Sequence, residues 1–92
     1  MSALGDYLSD TRRTCLYITE TGEDDFCLFA SIYTKTELEF LEIVYRIADH
    51  LHRHHDKVYY YPEVSKETAT SIIDCYAEEY PVYTATFRKG IQ

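Results

Sequence analysis

Thr14-Cys-Leu-Tyr-Ile-Thr-Glu20, Thr21-Gly-Glu-Asp-Asp25 and Phe26-Cys-Leu-Phe-Ala-Ser-Ile-Tyr-Thr34 follow one another without a break, and the contrast between them decides the fold. The outer two runs are rich in β-branched and aromatic residues, which suit a pleated, half-buried surface. The middle run carries a glycine able to take positive φ and three acids that favour turns. Together they predict a β-hairpin. In its second strand Phe26, Leu28, Ala30 and Ile32 point one way, while Cys27, Phe29 and Tyr33 point the other. A strand apolar on both faces belongs inside a sheet rather than at its edge.

Downstream, Thr34 and Thr36 each precede a glutamate by three residues (Glu37 and Glu39), a pair of overlapping capping boxes that open a helix. Leu41, Val44, Ala48 and Leu51, broadened by Leu38, Phe40, Ile43 and Ile47, give it a wide apolar stripe. Lys57 to Tyr61 reads as a short third strand, which Pro62 bars from the centre of a sheet. Ser65 caps a second helix whose apolar residues Ala69, Ile72, Ile73, Tyr76, Ala77 and Tyr80 keep helical spacing until Pro81. Val82 to Lys89 alternates as a last strand, with Tyr83, Ala85 and Phe87 on its apolar side.

The expected class is α+β in the order ββαβαβ, a mixed four-stranded sheet with two helices packed on one face. The chain of 92 residues suits a single globular domain in which residues 1–12 form a lead-in, with Leu4, Tyr7 and Leu8 at helical spacing. Two helices on one face leave the other bare, and that face would carry Cys15, Tyr17, Phe29 and Tyr33. It is too apolar for a free surface, so a homodimer or a complex with another protein is expected through it.

Composition excludes several classes. No run approaches the ~18 apolar residues that cross a membrane, and Asp6, Asp10, Arg12 and Arg13 interrupt any export signal. Three cysteines (Cys15, Cys27, Cys75) form neither a disulfide framework nor a CxxC motif, which fits a reducing cytoplasm. A net charge of -7 repels phosphate backbones, so direct nucleic-acid binding is not expected. Only three glycines are present and no phosphate-binding signature is among them, so no nucleotide cofactor, nor any other, is expected.

Two constellations remain. Asp49-His50-Leu51-His52-Arg53-His54-His55-Asp56 holds all four histidines of the chain. His50 and His54, one helical turn apart, are the two residues placed for a metal, though histidines at a helix end also complement its dipole. A metal- or small-ligand-binding protein built on His50–Asp56 is therefore the alternative reading. With every histidine at one helix end, the thiols have no obvious base for nucleophilic catalysis.

The second constellation is acidic: Glu23, Asp24 and Asp25 crowd the hairpin turn, and Asp74 and Glu78 lie along the second helix. Carboxylates so placed suit a basic groove on a partner and speed association with it. Ten tyrosines add residues favoured at interfaces. The leading reading is a non-enzymatic acidic protein-binding domain. It would act as a small inhibitor or immunity protein of the phage or mobile-element type, a nucleic-acid mimic that blocks a basic, nucleic-acid-handling partner. Its contacts would come from Glu23, Asp24, Asp25, Asp74 and Glu78, with Tyr17, Phe29 and Tyr33.

Overall fold

In the computed structural model, which describes residues 11–88, the hairpin forms as its composition predicts. Strand β1 (Thr11–Glu20) pairs antiparallel with β2 (Cys27–Thr34). Buried Thr19 closes the turn: its amide donates to the Phe26 carbonyl at 3.0 Å, and its hydroxyl accepts from the Phe26 amide at 2.8 Å. Left-handed φ falls not on Gly22 but on Thr21 (62°) and Asp24 (56°). Of the expected lead-in, Thr11 and Arg12 already belong to β1, and residues 1–10 lie outside the described residues.

After β2 come α1 (Glu37–His52), β3 (Lys57–Pro62), α2 (Lys66–Asp74) and β4 (Val82–Arg88). Of the two overlapping boxes only one caps α1. The Thr36 hydroxyl accepts from the Glu39 amide at 3.2 Å, whereas buried Thr34 turns its hydroxyl to the Thr36 carbonyl. Ser65 caps α2 by accepting from the Thr68 amide at 3.1 Å. That helix stops six residues before Tyr80, and the chain continues in turns bonded from Cys75 to Ile72, Tyr76 to Ile73 and Glu79 to Tyr76. Its last turn holds no basic residue and ends on Asp74, a charge that opposes the helix dipole.

The class and the order ββαβαβ are as expected, with a mixed four-stranded sheet ordered β3-β1-β2-β4. β2 is interior, β4 runs parallel to it, and β3 takes the other edge, where Pro62 is tolerated. The helices, however, pack on opposite faces. Cys15, Tyr17, Ala30 and Ile32 form one core with Phe40, Val44, Ala48 and Leu51 of α1. Leu16, Ile18 and Cys27 form a second with Val64, Ala69 and the partly buried Phe29, Ile72 and Ile73.

Strand order explains the arrangement. From β2 the chain crosses β1 to reach β3; from β3 it crosses both central strands to reach β4. The two crossovers travel in opposite directions, so they keep the one hand that twisted strands favour only if their helices cover opposite faces. The same sequence with both helices on one face would need one crossover of the disfavoured hand.

The bare tyrosine face is thereby overturned. In the observed register Tyr17 lies opposite Leu28 and Leu16 opposite Phe29, so Tyr17 and Phe29 are on different faces. Tyr17 is fully buried under α1, and its hydroxyl donates to the Val44 carbonyl at 3.0 Å. Cys15 is equally buried, Phe29 packs beneath α2, and Tyr33, half-buried, has the Arg88 guanidinium 4.4 Å from its ring centre. No shared surface of Cys15, Tyr17, Phe29 and Tyr33 exists through which two copies, or a partner, could dock.

Candidate functional site

Three segments meet where β2 begins: the hairpin turn, the C-terminal end of α1 and the Glu79-Tyr80-Pro81 approach to β4. The Cys27 amide donates to the Pro81 carbonyl at 2.9 Å, which ties the third segment to the sheet. Between them lies a cleft of about 850 Å³. Carboxylates of Glu23, Asp24, Asp25 and Glu79 line it together with His50, His54 and His55 and the rings of Phe26, Tyr80 and Tyr83.

Asp25 and His55 hold the cleft's inner wall. The imidazole Nδ1 of buried His55 lies 2.9 Å from Asp25 Oδ1, and the Gly22 amide donates to the same oxygen at 3.2 Å. Phe26 meets the His55 ring edge-on, with centroids 5.7 Å apart. A carboxylate and an imidazole on separate segments thus pin the turn against the end of α1. Gly22 is required there for space, because a Cβ on it would sit 2.3 Å from the His54 carbonyl oxygen.

The outer wall is aromatic. Tyr80 stacks on Tyr76 at 5.6 Å, and Tyr83, 53% exposed, meets Phe26 edge-on at 5.7 Å. Desolvation, followed by the charges of Glu20, Asp25 and Glu79, raises the Tyr80 hydroxyl above its ordinary pKa. At neutral pH it is a hydrogen-bond donor facing carboxylates.

Of the acids expected to contact a partner, Glu23, Asp24 and Asp25 reach this cleft. Asp25 is engaged by His55, and Asp74 and Glu78 are exposed but lie outside the lining. Glu79, Tyr80 and Tyr83 replace them. Their signal was faint in the sequence, since they reach the turn only because β4 lies parallel to β2 with Val82 beside Cys27.

The histidine run divides. His50 and His54 come together as a T-shaped pair, centroids 6.0 Å apart, on the cleft wall; His52 and Asp56 are exposed, and His55 turns inward. Among the described residues no group of three or more His, Cys, Asp or Glu side chains is placed to hold a metal ion.

The described cysteines are free thiols, Cys15 and Cys27 buried and Cys75 exposed. Burial raises the Cys15 thiol from 9.0 to about 11, and that of Cys27 in the same direction. The two buried thiols therefore stay protonated and unreactive at neutral pH. No helix among the described residues is long and apolar enough to cross a membrane. Compared with known proteins, the chain matches no family model, no curated protein and no solved structure, so the cleft is read from its own geometry.

Proposed function

We propose that this chain is a non-enzymatic, acidic protein-binding domain that engages a basic surface of its partner at the hairpin-turn end of the molecule. The observation that carries the reading is the convergence of Glu23, Asp24 and Glu79 with the rings of Tyr80, Tyr83 and Phe26 around one cleft. Carboxylates and aromatic faces side by side suit lysine and arginine. A cation over an exposed ring gains about 0.5–1 kcal/mol, and an ionised hydrogen-bond pair adds more. The net charge of -7 steers such a partner from a distance. A basic groove that handles nucleic acid is the partner surface this chemistry fits, and filling it would make the domain an inhibitor. The three carboxylates act at the rim, where charge governs on-rate and salt dependence more than residence time.

The test uses the purified chain as bait in a lysate of its native host, beside a Glu23→Gln/Asp24→Asn/Glu79→Gln variant, at low and high salt. Asp25 is left intact because it pins the turn. The wild type is expected to retain basic proteins that are lost in the variant and at high salt, with an on-rate for the captured partner at least tenfold lower in the variant. Capture of the same proteins by both baits, with equal salt dependence, would refute the reading.

A further inference from the structure

The geometry points to the form in which the partner binds: an extended segment that pairs with the outer edge of β4. It would place one apolar and one basic side chain, four residues apart, in two hollows beside that strand. This inference rests on the protein-binding reading above and adds the shape and sequence pattern of the bound segment.

Among the described residues β4 is bonded to β2 alone, so its outer backbone groups face no strand. Exposed edges are ordinarily guarded by Lys, Pro, a bulge or a cover. The other edge, β3, has Lys57 at one end and Pro62 at the other, while β4 reads Val-Tyr-Thr-Ala-Thr-Phe-Arg with its only charge at the last position. The two edges of one sheet are treated differently, and the open one adjoins the cleft.

On the α1 side β4 presents Tyr83, Ala85 and Phe87, paired with Leu28, Ala30 and Ile32 of β2. α1 packs chiefly over β1, β2 and β3, which leaves a groove along β4. At its Tyr83 end lies the acidic cleft. Farther along, between Leu28 and Phe87, lies a hollow of about 370 Å³ walled by Leu28, Ile47, Leu51 and Phe87, with Arg46 at its border. His50 and Leu51 line both, so the hollows adjoin. Tyr83 and Phe87 are about 13 Å apart at the usual ~3.3 Å rise per strand residue. A strand added at this edge gains main-chain bonds, and its side chains at i and i+4 on the α1 side fall beside the two hollows.

Charge selects the occupant. Glu23, Asp24 and Glu79 at one end call for lysine or arginine, and the other end calls for a leucine-sized group. A second copy of this chain does not answer. The β4 residues it would offer on that side are Tyr83, Ala85 and Phe87, none of them basic, and two chains of charge -7 repel.

The probe is the fluorescent peptide Thr-Leu-Thr-Val-Thr-Arg-Thr and its reversed sequence, titrated with the full chain by anisotropy. Thr-Leu-Thr-Val-Arg-Thr-Thr, with arginine on the opposite face, is the control. One orientation is expected to bind at least tenfold more tightly than the control, and Glu79→Gln and Phe87→Ala should each weaken it. N-methylation of alternate backbone nitrogens should abolish binding in one set and spare it in the other, because only every second N–H faces β4. Equal binding of probe and control, no binding up to millimolar peptide, or equal loss from both methylation sets overturns the edge pairing. So does a chain that is itself a dimer with protected β4 amides. If basic partners are still lost on Glu23→Gln/Asp24→Asn/Glu79→Gln while the peptides fail, the edge inference alone falls.

Discussion

Replacing Gly22 with alanine tests the junction on which the cleft is built. The added Cβ would stand 2.3 Å from the His54 carbonyl oxygen and 2.5 Å from His55 Nδ1. The first of these is backbone at the end of α1 and cannot rotate away, so the turn must lift by roughly 1 Å to restore ordinary contact. That displacement stretches the 2.9 Å Asp25–His55 bond and the 3.2 Å bond from the Gly22 amide. Overpacking of this kind costs about 1–3 kcal/mol, and a weakened bond to a carboxylate adds about 1 kcal/mol. The expected loss of about 2–4 kcal/mol lowers Tm by roughly 10–30 °C for a domain of this size. The chain lacks tryptophan, so the assay is thermal and urea unfolding followed by circular dichroism. Wild type, Gly22→Ala, His55→Ala and the double variant complete a cycle. With the His55 side chain removed, the Asp25 bond is already lost and only the backbone clashes, with the His54 carbonyl and the Cα of residue 55, remain. Gly22→Ala should then cost about 1 kcal/mol less, a coupling typical of residues in contact. A Gly22→Ala Tm within about 2 °C of wild type, or an unchanged cost in the His55→Ala background, would refute the argument.

Tyr17→Phe removes the bond to the Val44 carbonyl without opening a cavity, so urea unfolding should register a loss of about 0.5–1.5 kcal/mol with an unchanged m-value. Ser65→Ala strips the cap from α2 and should cost about 1 kcal/mol, restored in large part by Ser65→Asp; no difference between serine and alanine would mean that the cap contributes nothing. In a thiol-reagent assay of the native chain at pH 8, Cys75 should react within minutes and Cys15 and Cys27 only as fast as the chain unfolds. The Cys15 thiol is raised from 9.0 to about 11 in the folded state, so the unfolded chain gives up that proton first. Its contribution to stability is full below about pH 9 and is lost as pH rises towards about 11, at up to about 1.4 kcal/mol per pH unit. Cys15→Ala should flatten that decline, and an identical alkaline slope in both proteins would contradict it.

The parts of the fold set by neighbouring residues were legible. The hairpin, the Thr36 and Ser65 caps, the interior position of β2 and the edge position of β3 follow from periodicity, local hydrogen-bonding chemistry and the missing proline N–H. Which residues share a face across the sheet was not. Alternation assigns faces within a strand, but relating Tyr17 to Phe29 needs the pairing register, and a shift of one residue reverses the answer. The positive φ of the turn fell on Thr21 and Asp24, whereas Gly22 serves the close approach of His54 and His55. Three of the cleft's four carboxylates were visible for a similar reason. Glu23, Asp24 and Asp25 adjoin in sequence, whereas Glu79 reaches them through a parallel pairing between segments more than fifty residues apart.

The strand order also accounts for where the sheet is left least covered. α1 follows β2 but must deliver the chain to β3, on the far side of β1, so it leans away from β4. α2 must deliver the chain from β3 to β4 and therefore occupies the opposite face, where it covers Leu16, Ile18 and Cys27. α1 covers its side of β4 only in part, where Phe87 packs against its core, and the last strand is left with Tyr83 at 53% exposure and a hollow beside Phe87. The right-handed crossover and the late arrival of β4 at an edge are thus enough to produce a groove. The acidic turn lies at one end of it because the β1–β2 hairpin points to the same end of the sheet at which β4 begins.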